Sequence, residues 1–443
     1  MAEIMEILPA GLLHLQNLES ISWYPYPLYE DEWAYTAMYQ LLASVPVLHH
    51  LELSLYFNKS GARRLTLEIP FDKMQSLTSL KVTGIWTGQD KNLKSLSSII
   101  HQLSNLEELY LGFQHPMFDQ SSSEAEALNV LNALLVDYPA DAVPLKLKSL
   151  TLRQTILVMT PSILPHLRLL THLRLEPLVV FDNTMLSLNK LWHTLKVENI
   201  YLDYLATTFP GSGLLAYLNS YSTLKGFRLA RYEDATPETI EPIQLFEALL
   251  NHAGSLEEVD VARASLIDYG DMYGLWCATL PANASVYGNL RQLRKARVGV
   301  KGLRRRSTVP GSIEDSRLSM VFNTFRSLPH LKQLIIDTEE DSLSYGPHDL
   351  PHRPDYNPHK IAAVAVRTFI RSIRIPLHQD ARPFEPFTIE YDAEIYFPRR
   401  VMDEGMEYWV YDGANLGVEY DDTAFIWKRY HLDQLDATAA RRI

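Results

Sequence analysis

Cysteine is nearly absent from this 443-residue sequence, with Cys277 standing alone. One thiol excludes an internal disulfide framework and any cysteine-cluster zinc site, and it suits a reducing compartment. Its setting, LWCATL, is apolar, which reads as a buried structural thiol. Long apolar runs are missing as well. No stretch approaches the roughly 18 residues of a membrane span, and Ile361 to Val366 is closed at once by Arg367. The opening MAEIMEILPAGLLHLQN lacks the basic start and clean apolar stretch of a signal peptide. Positive charge is in deficit: Lys plus Arg is 41 against 53 for Asp plus Glu, a net charge of −12. That balance disfavours a general nucleic-acid binder, whose phosphate contacts need clustered cations. G-x-S-x-G, H-E-x-x-H and G-x-x-x-x-G-K-[ST] occur nowhere. The expectation is an intracellular chain, cytoplasmic or nuclear, that is not an enzyme and carries no cofactor or metal.

What the chain does have is leucine at a recurring spacing. An aliphatic residue, two variable residues, then an apolar–variable–apolar triplet repeats as LESISW (Leu18), LHHLEL (Leu48), LTSLKV (Leu77), LEELYL (Leu106), LKSLTL (Leu147) and LTHLRL (Leu170). It continues as VENIYL (Val197), LKGFRL (Leu224), LEEVDV (Leu256), LRKARV (Leu293) and LKQLII (Leu331). Successive units start 23 to 41 residues apart, too regular for chance in a leucine-rich chain. The triplet alternates, so its two apolar side chains share one face of a short strand, and the leading residue tucks into the same core. Between the strands lie amphipathic stretches at Glu32 to Ser44, Asn92 to Leu103, Ser123 to Tyr138, Gly213 to Tyr221, Ile243 to His252 and Ser316 to Leu328. Leu128, Leu131, Leu134 and Leu135 make the clearest helical stripe. One such unit cannot bury its own apolar face; stacked neighbours do. The spacing therefore predicts an α/β leucine-rich-repeat solenoid, a horseshoe of about eleven irregular strand–helix units over residues 1–337.

The phrases NLEELYLG (Asn105–Gly112), SLEEVDVA (Ser255–Ala262) and HLKQLIID (His330–Asp337) resemble irregular intracellular leucine-rich repeats, in particular those of fungal F-box/leucine-rich-repeat proteins. The resemblance spans about residues 8 to 337. It implies that the repeats bind a protein substrate, and that an F-box helical motif docks on the Skp adaptor of a cullin-type ubiquitin ligase. Leu8-Pro9 matches the opening of such a motif, but the first repeat already begins at Leu18, so no F-box is evident before it. The alternatives are a repeat scaffold or receptor without a ligase role and, more remotely, an enzyme using the C-terminal segment or the Gly211–Gly213 turn.

Past the repeats, residues 338–359 carry four prolines and read as a loop. Residues 360–443 read as a basic amphipathic helix followed by a β-containing cap rich in Tyr, Trp and Phe, with Asp412-Gly413 as a turn. A repeat stack ends on an apolar edge that must be covered.

Four constellations have the residue types of chemistry. Gly211-Ser212-Gly213-Leu214-Leu215-Ala216 is a G-x-G-x-x-A, but Asp203 to Pro210 separate it from the preceding strand, so a repeat turn is the better reading than a dinucleotide site. His348, His352 and His359 with Asp349 and Asp355 are metal-ligand types, but Pro347, Pro351 and Pro354 deny them a helix, and a solvated loop is the better reading. Arg291 to Arg306 is a basic segment that includes Arg294, Lys295, Arg297, Arg304, Arg305 and Arg306, with no acid from Met272 to Ile313. It reads as a segment paired with the protein's own acidic surface, as a docking patch for an acidic partner, or as a nuclear-import or nucleic-acid patch. Arg304, Arg305 and Ser307 also have the spacing of a basic-directed phosphorylation site.

Residues alternating with the core leucines should form an extended concave face fit for a protein partner. That face is predicted to run from His50, Glu52 and Ser54 to Gln333, Ile335 and Asp337. Aromatic and arginine side chains are the usual energetic anchors, which singles out Tyr110, Arg153, Arg174, Tyr201 and Arg228, with Glu258 and Asp260 beside them.

Overall fold

The structure, a computed structural model, describes residues 17–23, 42, 45, 47–54, 74, 76–86, 90–114, 130–138, 142–155, 157–176, 182–229, 240–261, 281–300, 313–338, 366–376, 386–391, 394–403 and 406–415. The chain divides into two compact units, Met1–Ser220 and Tyr221–Ile443.

In the first unit seven strands follow one another, all parallel: β1 (Ser20–Trp23), β2 (His50–Ser54), β3 (Ser79–Trp86), β4 (Glu108–Gln114), β5 (Ser149–Arg153), β6 (His172–Glu176) and β7 (Tyr204–Thr207). Their register puts one apolar residue per strand in a single row: Ile21, Leu51, Leu80, Leu109, Leu150, Leu173 and Leu205. A one-residue slip would send that row to the other face, so burial of the row fixes the register. The leading residues Leu48, Leu77, Leu106, Leu147, Leu170 and Leu202 are buried behind it.

Each rung takes hold of the one before through a single carbonyl. His49 N and His50 N both donate to Glu19 O, and Thr78 N and Ser79 N to His49 O. The same pair of donors recurs on Thr78 O, Glu107 O, Lys148 O and Thr171 O, at 2.8 to 3.0 Å. Helices α1 (Asp90–Gln102), α2 (Val130–Leu135), α3 (Asp182–Val197) and α4 (Ser212–Leu218) lie between or after the strands, and a short 3-10 turn covers Leu164–Leu167. Their apolar sides, such as Leu96, Ile99, Ile100 and Leu103 around α1, are buried.

Buried polar side chains serve the same stacking. Tyr217 Oη donates to Ile200 O at 2.8 Å and accepts from Leu202 N at 3.0 Å, while its ring lies 5.7 Å from that of Trp192. His166 Nδ1 accepts from Leu145 N at 3.0 Å. Tyr138 stands edge-on between His166 and His101, with ring centroids 4.5 and 5.0 Å away.

The second unit starts the same way. Strands β8 (Gly226–Leu229), β9 (Glu258–Asp260), β10 (Lys295–Val300) and β11 (Gln333–Thr338) are parallel, with Phe227, Val259, Ala296 and Leu334 in one row. Lys225 O, Glu257 O and Arg294 O each accept the paired donors of the next rung. Between the strands run α5 (Pro242–Leu250), α6 (Pro281–Asn289) and α7 (Ile313–Arg326). Glu241 caps α5 in a reciprocal box with Gln244, and Pro242 sits at its first turn, where a missing N–H costs nothing. His252 Nδ1 accepts from Leu224 N at 3.2 Å, the counterpart of the His166 bond in the first unit.

Residues 366–372 are helical. Strand β12 (Ile375–Pro376) follows, then β13 (Thr388–Tyr391), β14 (Glu394–Asp403) and β15 (Met406–Asn415). β13 adds to β11 in parallel; β14 and β15 then run antiparallel, and β12 closes on β15 through Ile375 and Trp409.

Three sequence expectations change. The repeat unit placed at Val197 begins at Leu202: β7 is Tyr204–Thr207, and Val197 is the exposed last residue of α3. The true unit, LDYLAT, ends in Thr207 rather than an aliphatic residue. Threonine is branched like valine, fills the buried place, and satisfies its hydroxyl by accepting from Phe209 N at 3.2 Å. Second, α3 and α6 were not among the expected amphipathic stretches. Third, Asp412-Gly413 lies inside β15, opposite Phe397 and Tyr396, not at a turn. The stretches expected at Glu32 to Ser44 and 338–359 fall almost wholly outside the described residues.

Candidate interaction surface

The strand side chains that alternate with the leucine row form a second face in each unit, and the two units differ in how that face is filled. In the first unit the polar side chains link sideways. Ser22 Oγ donates to Glu52 at 3.1 Å, Lys81 pairs with Glu52, and the Lys81 ammonium lies 5.0 Å from the centroid of the Tyr110 ring. Tyr110 is half-buried. Its ring reaches along its own strand over Gly112: a β-carbon at Gly112 would meet Tyr110 Cε1 at 3.4 Å. His172 stacks on Tyr204 at 4.6 Å.

Arg174 is buried and holds Glu176 through Nε and Nη2, at 2.7 and 2.5 Å. Arg153 is opposite Glu176 in register and opposite Gly112 on its other side. It is exposed and, among the described residues, has no ion-pair or hydrogen-bond partner. Tyr201 is not part of this face; it precedes β7 and donates from its hydroxyl to Asn199 Oδ1 at 2.9 Å. Tyr204 and Ala206 take the strand places expected for Asn199, Tyr201 and Asp203.

In the second unit the corresponding face is closed. Arg228 and Asp260 are 2% and 1% exposed and stand opposite each other, with Nε and Oδ2 3.4 Å apart. Arg297 is buried and holds Asp337 at 2.8 Å. Gln333 donates to Glu390 at 2.8 Å. Glu258 faces Lys295 in register. Burial pushes the Glu258 carboxyl up to about 7, with Lys295 pulling it back and Glu257 adding to the rise. Burial likewise lowers Lys295, against the pull of Glu258, Glu390 and Asp260. The charges of this face are thus spent on one another, as buried ions require.

The basic segment follows the same logic. Arg294 is exposed and pairs with Glu257 at 3.5 Å, while Lys295 and Arg297 face acids on neighbouring strands. These three read as cations paired with the protein's own acids. Arg304, Arg305, Arg306 and Ser307, the His348, His352 and His359 cluster, and Cys277 lie outside the described residues.

Gly211 is the N-cap of α4, and Gly213 forms a helix contact. Gly213 N donates to Asn189 Oδ1 at 3.1 Å, and a β-carbon there would fall 2.9 Å from Asn189 Cα. Glycine at this place lets α4 approach α3, and its N–H is already engaged. Among the described residues no cluster of His, Cys, Asp or Glu could hold a metal ion, and no helix is long and apolar enough to cross a membrane.

No protein-family model and no curated protein sequence matches the chain. Among solved structures, a leucine-rich-repeat protein of Leptospira interrogans is similar at 16% identity and a TM-score of 0.23, over 74% of this chain and 80% of that one. So loose a superposition adds nothing to the strand register, and the repeat rests on the register alone.

Proposed function

We propose that the chain is a non-enzymatic protein-binding module whose partner docks on the strand face of the Met1–Ser220 unit. The observation that supports this is the contrast between the faces: in the first unit Arg153 is exposed and Tyr110 half-buried beside the buried Thr151 and Arg174, whereas in the second Arg228, Asp260 and Arg297 are all buried in ion pairs. A row of parallel strands offers a broad, rigid, polar surface, better suited to a macromolecule than to a small substrate. Residues 338–443 are then a linker and a cap that ends the repeat. Photo-crosslinking tests the reading. A photoreactive side chain at Ser149, on the strand face, should trap a partner in native cells, and the same group at Asp137, just past the end of α2, should not. Equal trapping at both positions would remove the reading.

Recruitment of a protein substrate to a cullin-type ligase is the more specific form, and its support is the sequence resemblance alone. Recovery of the Skp adaptor with the purified chain would favour it; recovery of other partners without the adaptor favours a scaffold or receptor. Tight nucleotide binding in calorimetry would instead favour the enzyme alternative.

A further inference from the structure

Two arginines on adjacent strands compete for one acid. Glu176 on β6 stands opposite Arg153 on β5, yet its Oε1 is held by Arg174, two residues away on its own strand, at 2.7 Å. Arg174 is buried, where an ion needs an opposite charge more than at the surface, and it holds the carboxylate. Arg153 is left as an exposed guanidinium with no partner among the described residues. Gly112 stands opposite it and carries no side chain to cover it. The Tyr110 ring leans over that same glycine, which places an aromatic surface and an unneutralised guanidinium on adjacent strands around one glycine. Among the described residues, the other unpaired charge on β4 and β5 is Glu108, the first residue of β4. Glu108 thus opens β4 and Arg153 closes β5, one free charge of each sign.

Resting on the reading above, we infer that this face takes an extended segment of a partner protein that places a carboxylate on Arg153 and an apolar or aromatic side chain against Tyr110. A guanidinium offers a planar fork that a carboxylate can engage with two bonds, and Tyr and Arg together are frequent centres of binding energy. Lys81 lies near the Tyr110 ring but is already paired with Glu52, so it adds little free charge.

Panning a random dodecapeptide phage library against the full chain tests this. Enriched peptides should be acidic with a neighbouring apolar residue. Their affinity, measured on synthetic copies, should fall at least about tenfold in R153E, fall clearly in Y110A, and be partly kept in R153K. E108Q should leave it unchanged or higher. R168E, which reverses an exposed charge off the strands, should leave it unchanged. Thermal melts identify any variant that fails to fold, and R153K then carries the comparison. Enrichment without acidic residues, indifference to R153E, or no enrichment at all would overturn the inference. If strand-face crosslinks nonetheless form in cells, the docking reading survives and only its acidic-segment form falls.

Discussion

Gly213 lies against Asn189 with no room for a side chain: a β-carbon would sit 2.5 Å from the Asn189 Oδ1. Alanine normally strengthens a helix by about 1 kcal/mol over glycine, but here α4 would have to back away from α3. G213A should therefore destabilise the chain by about 1–3 kcal/mol. G254A, at a glycine whose β-carbon would meet nothing within 4 Å, should change stability by less than about 0.5 kcal/mol. Urea midpoints of the two variants decide it; equal midpoints would show the glycine contact to be incidental.

Glu258 makes stability depend on pH. Its folded carboxyl titrates at about 7, above its ordinary 4.5, because it is buried. The folded chain thus holds a proton that the unfolded chain releases over that interval. The associated stability is full below about pH 4.5 and is lost as pH rises through about 7, on the order of 3 kcal/mol. E258Q should remove this dependence, so the stability gap between variant and wild type should move in the variant's favour from about pH 5 to pH 8. A gap that stays constant across that range would rule the effect out.

Arg228 and Asp260 test the closed face. R228A takes from the Asp260 carboxylate, 1% exposed, the arginine that faces it; the expected loss is about 3–5 kcal/mol. Removing both partners should cost less than removing arginine alone. A double variant as unstable as the sum of the singles would show that the two do not act as a pair.

Tyr217 bridges two backbone groups at the end of the α3–β7 turn. Y217F keeps the ring on Trp192 but orphans Leu202 N, at an expected cost of about 1–3 kcal/mol. Hydrogen exchange at Leu202 should quicken more than at Leu173, which lies one strand away.

Much of this repeat was legible because burial and alternation leave a pattern in leucines. Leu51, Leu80, Leu109, Leu150 and Leu173 can be placed by spacing alone. The pattern fails where a polar residue does an apolar one's work. Thr207 ended its triplet in a hydroxyl, and the rule slid to Val197, which belongs to a helix. That helix was hidden in turn because Leu186 and Val197 point to solvent and blur its stripe. Which face a strand residue occupies is also readable, but not what it meets there. Arg174 stands inside its triplet and Arg153 just past its own, level with Glu176, yet which of them takes Glu176 depends on burial and side-chain direction. Tyr201 and Arg228 looked like anchors for the same reason; one lies outside the strand, and the other is enclosed with its acid.

The shared carbonyl at the foot of each strand has an evolutionary corollary. The socket that receives a rung is a few backbone atoms, whatever the connecting chain does, so Leu106 and Leu147 can stand 41 residues apart and Leu147 and Leu170 only 23. A tandem duplication of one whole unit would present the same plug and socket at both ends and graft without rebuilding its neighbours. Insertions in the connectors should be forgiven, while loss of two or three residues beside a leading leucine should not.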